Sequence, residues 1–163
     1  MAKLKIALGA AALVFASAGA QAQDATFEAS ATILEALAIT KNVDLAFARI
    51  VPDAGTAGTV VVSTGGVRTC APVLTCSGTV AAADFTVVGA DGASYSVTLP
   101  AAANISSGGN NMLVQDFTTS LVGGNGTLTG GTSNFQVGGT LNVAAAQPSG
   151  AYTGTFTVTV NYN

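Results

Sequence analysis

Along the last fourteen residues, Gly150–Asn163, apolar and polar side chains alternate in one register. Tyr152, Phe156, Val158, Val160 and Tyr162 fall on even positions, and Thr153, Thr155, Thr157, Thr159 and Asn161 on odd ones. A period of two places these sets on opposite faces of a strand. Threonine suits the wet face, since its β-branch favours extended backbone while its hydroxyl stays solvated. The pattern predicts a long closing strand with one apolar side that another strand must cover.

The same alternation recurs upstream. In Ala25–Ile33, Phe27, Ala29, Ala31 and Ile33 share one face, and Thr26, Glu28, Ser30 and Thr32 the other. Glu35 breaks the apolar set, which Leu37 and Ile39 resume, so residues 23–35 read as a first strand or as an extension separable from a domain over 36–163. Val43, Leu45 and Phe47 predict a short strand, and the β-branched run Thr59–Val62 an inner one. Val51–Gly55 and Gly65-Gly66 read as turns, the latter leading into a hairpin that holds Cys70 and Cys76. Asp91-Gly92 between the alternating segments 84–88 and 94–99 is a strong hairpin signal. Met112–Thr119 reads as an outer-edge strand, and Gly138-Gly139 as a bend or bulge in a strand that begins at Phe135. No helical period runs through residues 23–163. About eight to ten short strands with closely spaced turns predict an all-β chain, a β-sandwich of the immunoglobulin-like or Greek-key kind.

Composition narrows the context. Lys3 and Lys5, the apolar run Ile6–Ala18 and the small-residue site Ala20-Gln21-Ala22 have the form of a signal peptide over residues 1–22. The run is too short for a stable membrane span, so no transmembrane anchor is expected in the mature chain. Beyond residue 22 there are three basic residues, Lys41, Arg49 and Arg68, against eight acids, a net charge of −5. That balance cannot neutralise a phosphate backbone, which argues against nucleic acid as a partner. Charged residues are only 8% of the chain, and threonine, serine, asparagine and glycine supply the polarity instead. In an exported protein, Cys70 and Cys76 most simply form one disulfide that closes a hairpin loop.

Catalytic chemistry finds little footing. The chain has no histidine, which removes the usual base and any Ser-His-Asp triad. Lys41 reads as a turn residue and not as a buried, activated amine. Gly123–Leu128 resembles a glycine-rich calcium repeat only superficially, without the ligating aspartate or tandem copies. The sequons at Asn104 and Asn125 point to exposed loops. No enzyme activity, cofactor or metal site is expected.

Taken in order, Phe27–Leu34, Leu45-Ala-Phe47, Gly58–Val62, Tyr95–Leu99 and Gly150–Tyr162 resemble a bacterial secreted family related to spore coat protein U and to the pilins of archaic chaperone–usher systems. The chain looks closest to a sister family known only as a bacterial domain of unknown function. It departs from the spore-coat-U pattern at Leu37, where those proteins usually have a cysteine, and at Gly154, where an aspartate often follows the closing tyrosine. The resemblance implies a pilin-like sandwich that lacks one strand, its groove beside the terminal strand filled by the N-terminal extension of the next subunit. Phe27, Ala29, Ala31 and Ile33 would then be the donor plugs, and Tyr152, Phe156, Val158, Val160 and Tyr162 the acceptor strand. It further implies a secreted subunit that passes through the periplasm to the cell surface, self-associating into a fimbria-like adhesive fibre with a periplasmic chaperone and an outer-membrane usher. The alternative is a self-complemented monomer, its own first strand paired in cis, that binds carbohydrate or protein.

Overall fold

The computed structural model describes residues 23–163. The expected signal peptide, residues 1–22, lies outside them. The chain divides into two units, Met1–Thr32 and Ile33–Asn163. Of the first, residues 23–32 contain neither helix nor strand and are exposed throughout. Alternation alone therefore does not make Ala25–Ile33 a strand: with no ladder partner, its backbone groups are left to water.

The second unit is all-β, with twelve strands and one short 3-10 turn among the described residues. The strands are β1 Ala38–Val43, β2 Arg49–Val51, β3 Gly58–Val62, β4 Arg68–Cys70, β5 Thr75–Ser77, β6 Ala83–Val88, β7 Ser94–Thr98, β8 Ala102–Ser107, β9 Asn110–Thr119, β10 Asn125–Thr127, β11 Thr132–Val143 and β12 Thr159–Tyr162. A seven-stranded sheet runs β1-β6-β11-β3-β4, with β9 and β8 also reached from β11; a three-stranded sheet runs β10-β7-β12; β2 and β5 form a third pair. Every pairing is antiparallel. The large sheet packs on the smaller ones as a β-sandwich.

The twelve-residue β11 organises the large sheet. β9 lies along one of its edges, while β6 (against Thr132–Val137) and then β3 (against Gly139–Val143) follow one another along the other. The exchange falls at Gly138-Gly139, where the β9 register also shifts, as the glycine pair predicts. A side chain at Gly138 would run into the Val62 carbonyl, so two strands can meet end to end there only with glycine.

The core is in two halves. One gathers Phe47, Val60, Val62, Leu74, Val114, Leu141 and Val143; the other gathers Ala83, Val87, Tyr95, Leu128, Phe135 and Val137. Within β3, Val60 and Val62 are buried and Val61 is exposed, so this run is inner in its pairing but buried on one face only.

Several local expectations are revised by the pairing. Asp91-Gly92 does turn the chain, with Gly92 at φ +74°, but it joins β6 to β7 across two different sheets and makes no hairpin. A hairpin turn of that type needs positive φ at both central residues, and only Gly92 has it. The turn is instead tied to the 128–130 loop, Asp91 Oδ1 accepting the Gly130 N–H and the Leu128 carbonyl the Gly92 N–H. Cys70 and Cys76 are disulfide-bonded, but the bond links β4 of the large sheet to β5 of the small pair and closes no hairpin. Met112–Thr119 belongs to β9, an interior strand, and the edge is β8. Asn104 and Asn125 sit in β8 and β10, not in loops, and Lys41 sits in β1 opposite Phe85, not in a turn.

Candidate functional site

The predicted long closing strand is interrupted. Only Thr159–Tyr162 forms a ladder, with β7, and upstream Thr153 makes a single bridge to Ser106 of β8. Gly154–Val158 joins no ladder, although burial still alternates with period two: Tyr152, Phe156, Val158, Val160 and Tyr162 are half-buried and the threonines between them exposed. The close approach to β8 needs Gly154, where a Cβ would lie 2.5 Å from the Asn104 carbonyl oxygen.

The opposite rim has the same character. Among the described residues, β1 pairs only with β6 and is an edge of the large sheet, as β12 is an edge of the three-stranded one. Beyond β1 the chain continues through a bridge at Ala46 and through Ala48, a non-glycine residue at φ +61°, into β2. A cleft of about 1400 Å³ lies between β1 with the segment that follows it and the stretch Gln147–Val158 upstream of β12. Ile39, Leu45, Phe47 and Ile50 line one wall, and Tyr152, Phe156 and Val158 the other. Its floor is built by Phe85 of β6, Ile105 of β8, Met112 and Phe117 of β9, and Val137 and Leu141 of β11. Val160 and Tyr162 continue the same face past the cleft and pack on the second half of the core.

The lining is mostly apolar; its polar members are Lys41, ion-paired with Asp44, the exposed Arg49, and Gln147, Ser149 and the threonines of the closing segment. Two carboxylates have lowered pKa values, and neither lines the cleft. The backbone N–H groups of Gly55 and then Thr56 hold Asp53 down in its turn; the side-chain amides of Asn42 and then Gln136 hold Asp84 down on the outer sheet face. Among the described residues, no group of three or more His, Cys, Asp or Glu could hold a metal ion, and no helix is long and apolar enough to cross a membrane.

What the arrangement offers is an open apolar surface beside exposed strand backbone. Two strand edges face one apolar cleft, so a guest strand could bond its backbone to the rims and set alternate side chains into the floor. Of the residues named as an acceptor strand, Tyr152, Phe156 and Val158 supply one wall of this cleft, and Val160 and Tyr162 do not line it. Sequence reasoning did not single out Phe85, Ile105, Met112 or Phe117, each the inward member of an alternating strand whose partner layer could not be read locally. The candidate plugs stand outside any ladder, with Phe27 91% and Ile33 95% exposed.

Fold and opening together define the class: an all-β sandwich whose core lies open between two unpaired strand edges. The chain belongs to the family described as "Domain of unknown function (DUF4402)", whose model matches residues 37–162. No curated protein and no solved structure matches the chain.

Proposed function

We propose that the chain is a secreted structural subunit of a surface fibre, in which the extension Ala25–Ile33 of one copy fills the cleft of the next. The observation that carries this reading is the coexistence, in one chain, of an apolar cleft between two unpaired strand edges and an alternating apolar segment without a ladder. Each half answers a cost of the other: uncovered apolar floor and unpaired backbone on one side, exposed Phe27 and Ile33 on the other. The segment is long enough, since nine residues of strand span about 30 Å and the seven-residue wall Tyr152–Val158 about 23 Å. The family match begins at Leu37, so the donor segment lies outside the matched sandwich. A head-to-tail contact of this kind does not close on itself and generates filaments. Before assembly the open core needs a temporary cover, the role a periplasmic chaperone would fill ahead of an outer-membrane usher.

The test is deletion of residues 23–33 in the secreted chain. Loss of the heat-sensitive polymer ladder on gels, with the circular dichroism of the folded sandwich retained, is the expected result. Polymers that persist in the deletion variant would sink the reading.

A further inference from the structure

Charge is unevenly placed along the cleft. Of the three basic residues beyond position 22, two line it: Lys41, neutralised by Asp44, and Arg49. The third, Arg68, lies elsewhere and donates to the Ser77 and Gly78 carbonyls. Among the described residues Lys41–Asp44 is the only ion pair, so the exposed Arg49 has no carboxylate partner. Its neighbours fix its place along the cleft. Ile39 packs with the second half of the core, whereas Phe47 and Ile50 belong with the first, so Arg49 marks the first-half end. On the opposite wall Phe156 belongs with the first half and Val158 with the second, so the two walls run in opposite directions.

The donor segment carries charge of the other sign. Asp24, Glu28 and Glu35 are exposed, and no basic residue occurs from Gln23 to Thr40. The three acids differ in parity. Asp24 and Glu28 share the outward set with Thr26 and Ser30, but Glu35 continues the inward row Phe27, Ala29, Ala31, Ile33. A guest strand that sets this row on the floor therefore ends it in a carboxylate. Run the opposite way, the row would reach the Arg49 end with Ala25 and Phe27, which carry no charge.

We infer that Arg49 of one copy pairs with Glu35 of the next, an ion pair at the junction between subunits that sets how far the guest strand enters. The inference rests on the fibre reading and adds a register stop to it. The methyl groups of Ala29 and Ala31 hold register weakly, and a slip of two residues keeps every side chain on its face. Such a slip inward would carry the Glu35 carboxylate past Arg49 onto apolar floor, where an unpaired charge is costly. A slip outward would separate the two charges. The guest then runs along β1 and against the closing segment.

The test uses the full chain carrying Phe27→Ser and Ile33→Ser, which has lost its own donor plugs, as acceptor. A C-terminally amidated peptide of residues 23–36, fluorescein-labelled at its N-terminus, is titrated against it by fluorescence anisotropy. Peptides with Glu35→Lys or Glu28→Lys are run alongside it. Glu35→Lys should weaken binding about threefold to tenfold at low salt. Arg49→Glu in the acceptor should weaken the natural peptide by a like factor and restore the Glu35→Lys peptide, more than it restores Glu28→Lys. These differences should fade at about 500 mM salt. Should the Arg49→Glu chain not fold, Arg49→Gln should erase the gap between the natural and Glu35→Lys peptides. A natural peptide whose binding responds to neither Glu35 nor Arg49 overturns the inference, as does a rescue confined to Glu28→Lys; both outcomes leave the fibre reading intact. Failure of the natural peptide itself to bind overturns the fibre reading.

Discussion

The Tyr162 hydroxyl donates a hydrogen bond to the Glu35 carbonyl at 2.8 Å, joining the last strand to a residue 127 positions earlier. The same oxygen accepts the Ala90 N–H at 2.8 Å. A side chain at Gly89 would collide with it, so the β6–β7 connection leaves room for this ring. The pair marks where the N-terminal segment departs from the sandwich: Leu37, two residues on, already packs on the core, whereas Ile33 and Leu34 are exposed. Tyr162→Phe keeps the ring and removes both hydrogen bonds, leaving the half-buried Ala90 N–H without this partner. We expect a loss of about 1–2 kcal/mol in urea unfolding, with faster amide exchange over residues 35–38. An unchanged midpoint and unchanged exchange would show that the hydroxyl anchors nothing.

Cys70–Cys76 holds a second connection in place. The loop it closes presses Leu74 into the first half of the core, against Gly58, where a Cβ would lie 2.8 Å from the leucine side chain. Because β4 and β5 lie in different sheets, the bond also joins the rim strand pair β2–β5 to the large sheet. Reduction should lower stability by about 2 kcal/mol, the value for so short a loop. Cys70→Ser/Cys76→Ser should match the reduced protein in a denaturant melt, and equal stability of oxidised and reduced chains would contradict it.

Faces were legible in the sequence, and partners were not. The alternation separated the half-buried Tyr152, Phe156, Val158, Val160 and Tyr162 from the exposed threonines between them, because the two-residue period depends only on backbone pleat, whereas Thr59–Val62 read as a continuous run and is buried only at Val60 and Val62. Which strand lies beside which is decided by contacts far apart in sequence, and there local signals misled. Asp91-Gly92 has the composition of a hairpin and serves as a corner between sheets; β8 was missed because Asn104, Ser106 and Ser107 read as loop polarity on an edge strand. One wall of the candidate site was visible as the even-numbered face of the closing segment. The floor was not, since Phe85, Ile105, Met112 and Phe117 come from three strands that only the sheet topology brings together.

Acid should weaken the fold through Asp53 and Asp84. Both carboxyls titrate below the ordinary aspartate value when folded, Asp53 through the N–H groups of Gly55 and Thr56, Asp84 through the amides of Asn42 and Gln136. A depressed folded pKa means that the unfolded chain binds more protons as pH falls. The stability these groups supply is therefore complete above the unfolded value, near 3.9, and is lost as pH drops through the folded values. With no histidine in the chain, thermal midpoints should stay level from about pH 8 to pH 5 and decline only below about pH 4. Asp84→Asn should make that decline shallower. A midpoint that falls between pH 7 and 5 would contradict the assignment.

The open cleft makes a prediction about stability that needs no second molecule. A copy of residues 23–34 appended after Asn163 through a short Asn-Gly turn would run antiparallel to the closing segment and enter the cleft from the Tyr162 end. Its Phe and Ile would be covered at about 1.5–3 kcal/mol each, offset in part by the entropy of ordering the added strand. A net gain of about 2 kcal/mol would raise the thermal midpoint by about 4–8 °C for a chain of this size. The same chain should be monomeric, because its acceptor is occupied even though its N-terminal donor remains. Replacing the appended Phe and Ile by serine supplies the control: it should return the midpoint to that of the parent and restore polymers. An appended strand that neither stabilises the chain nor suppresses polymers would mean that the cleft does not take this segment.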